Sequence, residues 1–104
     1  MEFIVKKEFS KQLNKLYKKY NNILDDFNNF KINFDINNWK HLWKWIYKFR
    51  IKNSSIPVWK SWWFRIILFI QILENEALPF IIYSKTDIEN ISLKEIIIEL
   101  KKYI

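Results

Sequence analysis

The chain of 104 residues contains no glycine and no cysteine, and its only histidine is His41. The absence of cysteine excludes disulfides, thiolate zinc sites and a cysteine nucleophile. A catalytic pair of histidines is also excluded, and we expect His41 to lie on a loop surface. The longest apolar run, residues 66–70, is far below the ~20 residues that span a bilayer. The first residues lack the order of charges and apolar residues typical of a signal peptide, so we expect a soluble, cytoplasmic protein.

What the chain does have is a large apolar fraction and a strong positive charge. Half of its residues are hydrophobic, 19% are aromatic, and the formal net charge is +7. The length predicts one domain, residues 1–104, with enough apolar side chains for a packed core. The charge favours an acidic partner such as nucleic acid or an acidic protein, while a basic solvated surface is the alternative interpretation. We expect no association with a membrane.

Two helices are predicted near the start, after a short strand at residues 2–6. Apolar residues from Phe9 to Tyr20 fall at helical spacing, with lysines on the opposite side. A polar pair, Asn21 and Asn22, interrupts this pattern, and a second, shorter helix follows around residues 23–30. The two segments therefore predict a helical hairpin packed through one apolar face. Residues 33–42 are mostly polar, and we expect them to be irregular.

Three strands and a last helix are predicted in the second half. Residues 45–52 alternate with period two, which places Ile46, Lys48, Arg50 and Lys52 on one face. Residues 64–72 have the continuous apolar pattern of a central strand. Residues 77–84 predict a third strand, in which Pro79 favours an edge or a bulge. A capping-box pattern beginning at Ser92 opens an amphipathic helix.

These elements predict an α+β domain: an N-terminal strand, a helical hairpin, an antiparallel three-strand meander and a C-terminal helix, with the helices over one face of the sheet. The order resembles the RelE/ParE toxin superfamily, in particular its HigB- and RelE-like members. Three segments carry the resemblance: Ile46-Tyr-Lys-Phe-Arg50, Trp59-Lys-Ser-Trp-Trp-Phe-Arg65, and Ile82-Tyr-Ser-Lys-Thr-Asp-Ile-Glu-Asn-Ile-Ser92. Family members are similar to the pattern "iyKiR…GKSGGfR…iYsKxdxenis", so the resemblance extends over nearly the whole chain.

The chain departs from that pattern mainly where it has tryptophan in place of glycine, at Trp59, Trp62 and Trp63. Glycine there would supply positive φ and close backbone approach before the central strand. All six tryptophans lie between residues 39 and 63. One hypothesis is that the gene has TGA codons, which some bacterial lineages read as glycine, and that they are written here as tryptophan. The alternative is an authentic aromatic and basic surface, of a kind that suits single-stranded nucleic acid or a membrane interface.

The resemblance implies a type II toxin that cuts messenger RNA in the ribosomal A site and is inhibited by a cognate antitoxin protein. Metal-free RNA cleavage needs a base for the 2′-OH, cations for the phosphorane and an acid for the leaving oxygen. A lysine can act as the base if neighbouring cations lower its pKa. Two other classes remain open: a ParE-like toxin that binds gyrase without cleaving RNA, and a non-catalytic nucleic-acid-binding relative.

The candidate site residues are mostly cations. Lys48 and Lys52 are candidates for the base or for phosphate contact, and Tyr83 for a proton donor or a stacking surface. By resemblance, Arg65 would clamp the scissile phosphate and Lys85 would supply an active-site cation. The candidates for binding RNA are Arg50, Lys60 and Lys44. No metal or cofactor is expected, because Asp87 and Glu89, the nearest approach to a carboxylate pair, fall in a polar stretch that favours a solvated loop.

Overall fold

Three helices and five strands form the part of the chain that the computed structural model describes, which is residues 1–35, 37, 40–57, 63–88 and 90–104. The helices are α1 (Lys7–Tyr17), α2 (Ile23–Ile32) and α3 (Leu93–Leu100). The strands are β1 (Glu2–Phe3), β2 (Lys40–Trp43), β3 (Ile46–Lys52), β4 (Trp63–Gln71) and β5 (Glu76–Ser84). The α+β class expected from the sequence is therefore confirmed. No described helix is long and apolar enough to cross a bilayer.

The strands form a single sheet in the order β1-β5-β4-β3-β2. Strands β2 to β5 are antiparallel neighbours, whereas β1 pairs with β5 in parallel. The meander therefore has four strands, and the prediction of three was wrong. The missed strand, β2, lies in residues 33–42, where the polar composition had predicted irregular chain. Its pairing with β3 orders a segment that has little apolar alternation of its own.

The helical hairpin of α1 and α2 covers one face of the sheet, as predicted. Rings from the two helices pack at 5.5 Å through Phe9 and Phe27. Phe30 of α2 then contacts Phe49 of β3 edge to face at 5.6 Å. These side chains, except the half-buried Phe30, belong to the core, and their removal from water stabilises this layer. Tyr17, assigned to the same apolar stripe, is instead 48% exposed at the end of α1.

The last helix lies on the opposite face, so the prediction that all helices share one face was wrong. Leu93 and Ile96 of α3 line a cavity together with Lys48, Ile67 and Tyr83, which project from the face opposite to Phe49. The helix begins as predicted, because the Ser92 hydroxyl accepts a hydrogen bond from the Glu95 amide.

Strand β5 contains the irregularity predicted from its proline. Leu68 pairs with Pro79 and Ile67 pairs with Ile81, so Phe80 is the extra residue of a bulge.

Beside this bulge, the Gln12 side chain of α1 bonds to the outer edge of β5. Its amide nitrogen donates to the Phe80 carbonyl at 2.8 Å, and its oxygen accepts from the Ile82 amide at 3.1 Å. One side chain thus makes the two bonds that a neighbouring strand would make.

Positive φ occurs in the described residues at Lys44 and Asn75. Trp63 is extended at the start of β4, so the expectation of positive φ is wrong at that position. Trp59 and Trp62 lie outside the described residues. Trp43 and Trp45 flank Lys44 in the β2–β3 hairpin and are 40% and 52% exposed. The residue with positive φ in this hairpin is therefore Lys44, which lies between two tryptophans.

Candidate nucleic-acid interface

One face of the sheet collects most of the cations predicted to be functional. Side chains that alternate along a strand, or lie opposite each other on neighbouring strands, share a face of the sheet. By this register, the cationic face consists of Lys40, Lys48, Arg50, Lys52, Arg65, Tyr83 and Lys85. The helical hairpin lies on the other side of the sheet, while α3 covers part of this face around Tyr83.

The middle row of the cationic face crosses three strands. Arg50 of β3 lies opposite Arg65 of β4, which lies opposite Tyr83 of β5. Side chains in such positions have Cβ atoms about 4.5–5.5 Å apart. Two guanidinium groups and one phenol therefore lie next to one another, and all three can donate hydrogen bonds to an anion.

Arg65 is the most constrained cation in this row. Its Nη1 atom is buried and has no hydrogen-bond partner among the described residues. Burial, followed by the nearby charge of Arg50, lowers the pKa of Arg65 from its ordinary value, although a guanidinium stays protonated in proteins. A buried guanidinium nitrogen without a hydrogen bond is costly. The rest of this half-buried guanidinium is a donor group of the kind that binds an anion such as phosphate.

A second row places Lys40 of β2 opposite Lys48 of β3, which lies opposite Ile67. Partial burial lowers the pKa of Lys48, and the positive charges of Lys40, Arg65, Lys85 and Arg50 lower it further. These are the conditions under which a lysine can give up its proton and serve as a base. Lys40 was missed by the sequence reasoning, because its strand was not predicted.

The two rows meet at a cavity between the sheet and α3. It has a volume of 190 Å³ and is lined by Lys40, Lys48 and Tyr83, with Asn90 at its polar rim and Ile96 among its apolar walls. Tyr83 is 4% exposed. Burial raises the pKa of Tyr83, and the positive charge of Arg65 offsets only part of that effect. At neutral pH the phenol therefore stays protonated and can donate a proton.

The third row lies toward the end of the sheet. Lys52 faces Trp63, and the Lys85 amide donates to the Trp63 carbonyl at 3.2 Å, which continues the β4–β5 ladder past Ser84. Both lysines are exposed. Lys85 lies two residues after Tyr83 in the continued ladder, which directs it to the same face, and its charge contributes to the lowered pKa of Lys48.

The other RNA-binding candidates do not join this face. Lys44 is in the hairpin beyond Ile46, which is about 13 Å along β3 from Arg50 at ~3.3 Å per residue, and its Nζ lies 4.7 Å from the ring centre of Trp43. Lys60 lies outside the described residues. His41 is exposed in β2, not in a loop as expected, and its Nε2 bonds to the Lys44 carbonyl oxygen.

Carboxylates contribute little to the site. No group of three or more histidine, aspartate and glutamate side chains among the described residues could hold a metal ion. Asp87 forms an ion pair with Lys19 in an exposed turn, with 2.6 Å between Oδ1 and Nζ. Glu89 lies outside the described residues.

Together, a lysine with a lowered pKa, a protonated tyrosine and two guanidinium groups can bind a phosphodiester and transfer protons around it. No protein-family model matches the chain, and comparisons with curated proteins and with solved structures found no significant match.

Proposed function

We propose that this protein is a metal-free endoribonuclease, the toxin of a type II toxin-antitoxin system similar to the RelE- and HigB-like toxins, and that it cuts messenger RNA on the ribosome. The observation that carries the proposal is the half-buried Arg65, whose Nη1 has no hydrogen-bond partner among the described residues, beside Tyr83 and close to Lys48. A fully solvated basic surface would leave Arg65 exposed, whereas a half-buried guanidinium next to a second positive charge is suited to binding a phosphate group.

The proposed chemistry uses three side chains. Lys48 accepts the proton of the ribose 2′-OH, and the 2′-oxygen forms a bond to phosphorus. Arg65 stabilises the negative charge of the phosphorane. The bond from phosphorus to the 5′-oxygen then breaks, and Tyr83 donates its proton to that oxygen. The products are a 2′,3′-cyclic phosphate and a 5′-hydroxyl end.

The remaining cations bind the RNA backbone. Arg50 lies beside the clamp in the same row, and Lys40, Lys52 and Lys85 lie in the rows on either side. Each neutralised phosphate adds affinity that salt weakens. The cognate antitoxin would bind through acidic side chains, since the same face needs to be covered to prevent cleavage. The order of helices and strands is compatible with the proposed family, although the meander has one strand, β2, more than expected.

The experiment is a translation reaction with purified protein, with and without ribosomes. We expect messenger RNA to be cut only when ribosomes are present, and the ends to be a cyclic phosphate and a 5′-hydroxyl. Arg65→Ala should abolish cutting, while Lys44→Ala, remote from the cationic face, should not. Inhibition of gyrase supercoiling without RNA cleavage would instead identify a ParE-like toxin. Full cutting by Arg65→Ala would refute the assignment of the clamp.

A further inference from the structure

Beneath the cationic face, three hydroxyl groups form a closed ring that the proposed chemistry does not use. The Tyr20 hydroxyl donates to Ser84 Oγ at 3.2 Å and lies 3.1 Å from Thr86 Oγ1. Ser84 Oγ and Thr86 Oγ1 are 2.7 Å apart. Each hydroxyl has one hydrogen to donate and can accept one, so the three satisfy one another around the ring.

Two members of the ring are buried and the third is exposed. Ser84 is 1% exposed and Tyr20 is 4% exposed, whereas Thr86 lies at the surface. The Tyr20 ring packs edge to face on the fully buried Phe64, with ring centres 5.2 Å apart. Tyr20 follows α1 and belongs to the hairpin layer, whereas Ser84 ends β5. The ring therefore ties the helical layer to the end of the strand that carries Tyr83 and Lys85.

The turn after β5 depends on the same serine. The amides of Asp87 and Ile88 donate to the Ser84 carbonyl at 3.0 and 3.1 Å. The Thr86 amide lies 3.4 Å from Ser84 Oγ, and Lys19, next to Tyr20, pairs with Asp87 at 2.6 Å. These contacts fix the residues on both sides of Lys85.

We propose that Tyr20 is a positioning residue that holds Lys85 on the cationic face, and this inference rests on the proposed function for its effect on cleavage. Alternation along the strand directs Ser84 and Lys85 to opposite sides of the sheet. Anchoring Ser84 and Thr86 below the sheet keeps Lys85 above it, close enough for its charge to act on Lys48. A lysine side chain alone has too many rotamers to stay in place without such an anchored backbone.

The first test measures the turn itself by amide hydrogen exchange. Tyr20→Phe keeps the ring against Phe64 and removes only the hydroxyl. We expect exchange at Asp87 and Ile88 to accelerate by about tenfold or more, because local opening exposes these amides. The matched control is Tyr17→Phe, which removes a phenolic hydroxyl from an exposed tyrosine of α1 and should change nothing. Unchanged exchange in Tyr20→Phe would overturn the inference, whether or not the protein cuts RNA.

The second test asks whether the hydroxyl acts through Lys85. Tyr20→Phe should lower kcat/KM about tenfold, and it should have no further effect in a Lys85→Ala background, since coupled residues are not additive. Thr86→Val, which removes the hydroxyl, should reproduce the loss of activity. Thr86→Ser, which keeps the hydroxyl, should retain the activity of the wild type. Equal losses with and without Lys85 would show a general structural role and reject the inference. If the wild-type protein cuts no RNA, the proposed function fails and the exchange data alone decide the positioning role.

Discussion

Arg65 of β4 lies directly opposite Tyr83 of β5, and the two side chains present a fixed positive charge beside a neutral proton donor. Burial raises the pKa of Tyr83 although the arginine opposes this change. The phenol thus keeps its proton at neutral pH, and the guanidinium keeps its charge. A phosphodiester in front of this pair would meet a clamp for a non-bridging oxygen and an acid for the leaving oxygen.

Substitution of the clamp should affect chemistry more than binding. We expect Arg65→Lys to lower kcat by about 10²- to 10³-fold, the usual loss for one donor that stabilises a transition-state charge, because a lysine cannot bind bidentately. Single-turnover cleavage on ribosomes measures this. Arg50→Lys is the matched control: Arg50 is exposed in the same row, so its change should mainly raise KM. A larger loss of kcat for Arg50→Lys than for Arg65→Lys would indicate that Arg50, and not Arg65, stabilises the phosphorane.

The rate of cleavage should rise with pH. A base works in its deprotonated form, and the pKa of Lys48 is lowered from its ordinary value of 10.5. The deprotonated fraction therefore grows as pH approaches this lowered pKa from below. Lys40→Glu replaces the positive charge opposite Lys48 with a negative one, so it should raise the pKa of Lys48 and slow cleavage at pH 7. The measurement is the pH–rate profile of both proteins from pH 6 to 9.

The control is Lys44→Glu, which makes the same change of charge at the tip of the β2–β3 hairpin, away from Lys48. It should leave the pH–rate profile unchanged. An identical shift in both variants would indicate a response to net charge alone.

Protein stability should also respond to the titration of Lys48. Since its pKa is lower in the folded state than the ordinary 10.5, the unfolded chain binds the proton more strongly. The free energy of unfolding should therefore increase as pH rises from below the folded pKa toward 10.5. Lys48→Met removes this gain and should be more stable than the wild type at pH 7. Urea unfolding at pH 7 and pH 9.5 tests both points, and an equal pH dependence in the two proteins would contradict them.

Loss of the Gln12 side chain should destabilise the fold. Gln12→Ala removes the bonds to Phe80 and Ile82 and leaves backbone groups of β5 unpaired, at ~1–3 kcal/mol each. We expect a fall in Tm of at least about 5 °C, given ~4–8 °C per kcal/mol in a domain of this size. Gln71→Ala, at the exposed end of β4, is the control and should change Tm by no more than ~2–4 °C, which corresponds to the ±0.5 kcal/mol typical of surface changes.

The tryptophan hypothesis can be tested on the gene. We expect TGA codons at Trp59, Trp62 and Trp63, and a protein made with glycine at these positions should fold and cut RNA. TGG at all three codons would establish tryptophan as authentic. The extended backbone of Trp63 removes one reason for glycine at that position, because strand conformation is open to any residue.

Much of the cationic face could be predicted because residues 46–52 alternate strictly, which fixes Lys48 and Arg50 on one side whatever their partners. The registers that bring Arg65 between Arg50 and Tyr83 depend on pairing between strands, which local pattern does not specify. Lys40 was missed since β2 acquires its conformation from β3. The side on which α3 packs was also missed, because an amphipathic helix shows that it has an apolar face but not which layer receives it.

The hydrogen bonds of Gln12 have a consequence for association between chains. An unpaired strand edge is a template on which a second molecule can add its own strand. On the outer side of β5, the β1 pairs at Glu76 and Ala77 and the Gln12 bonds at Phe80 and Ile82 occupy these positions. The short β1 and a single side-chain amide together leave little of this edge of β5 free for edge-to-edge association.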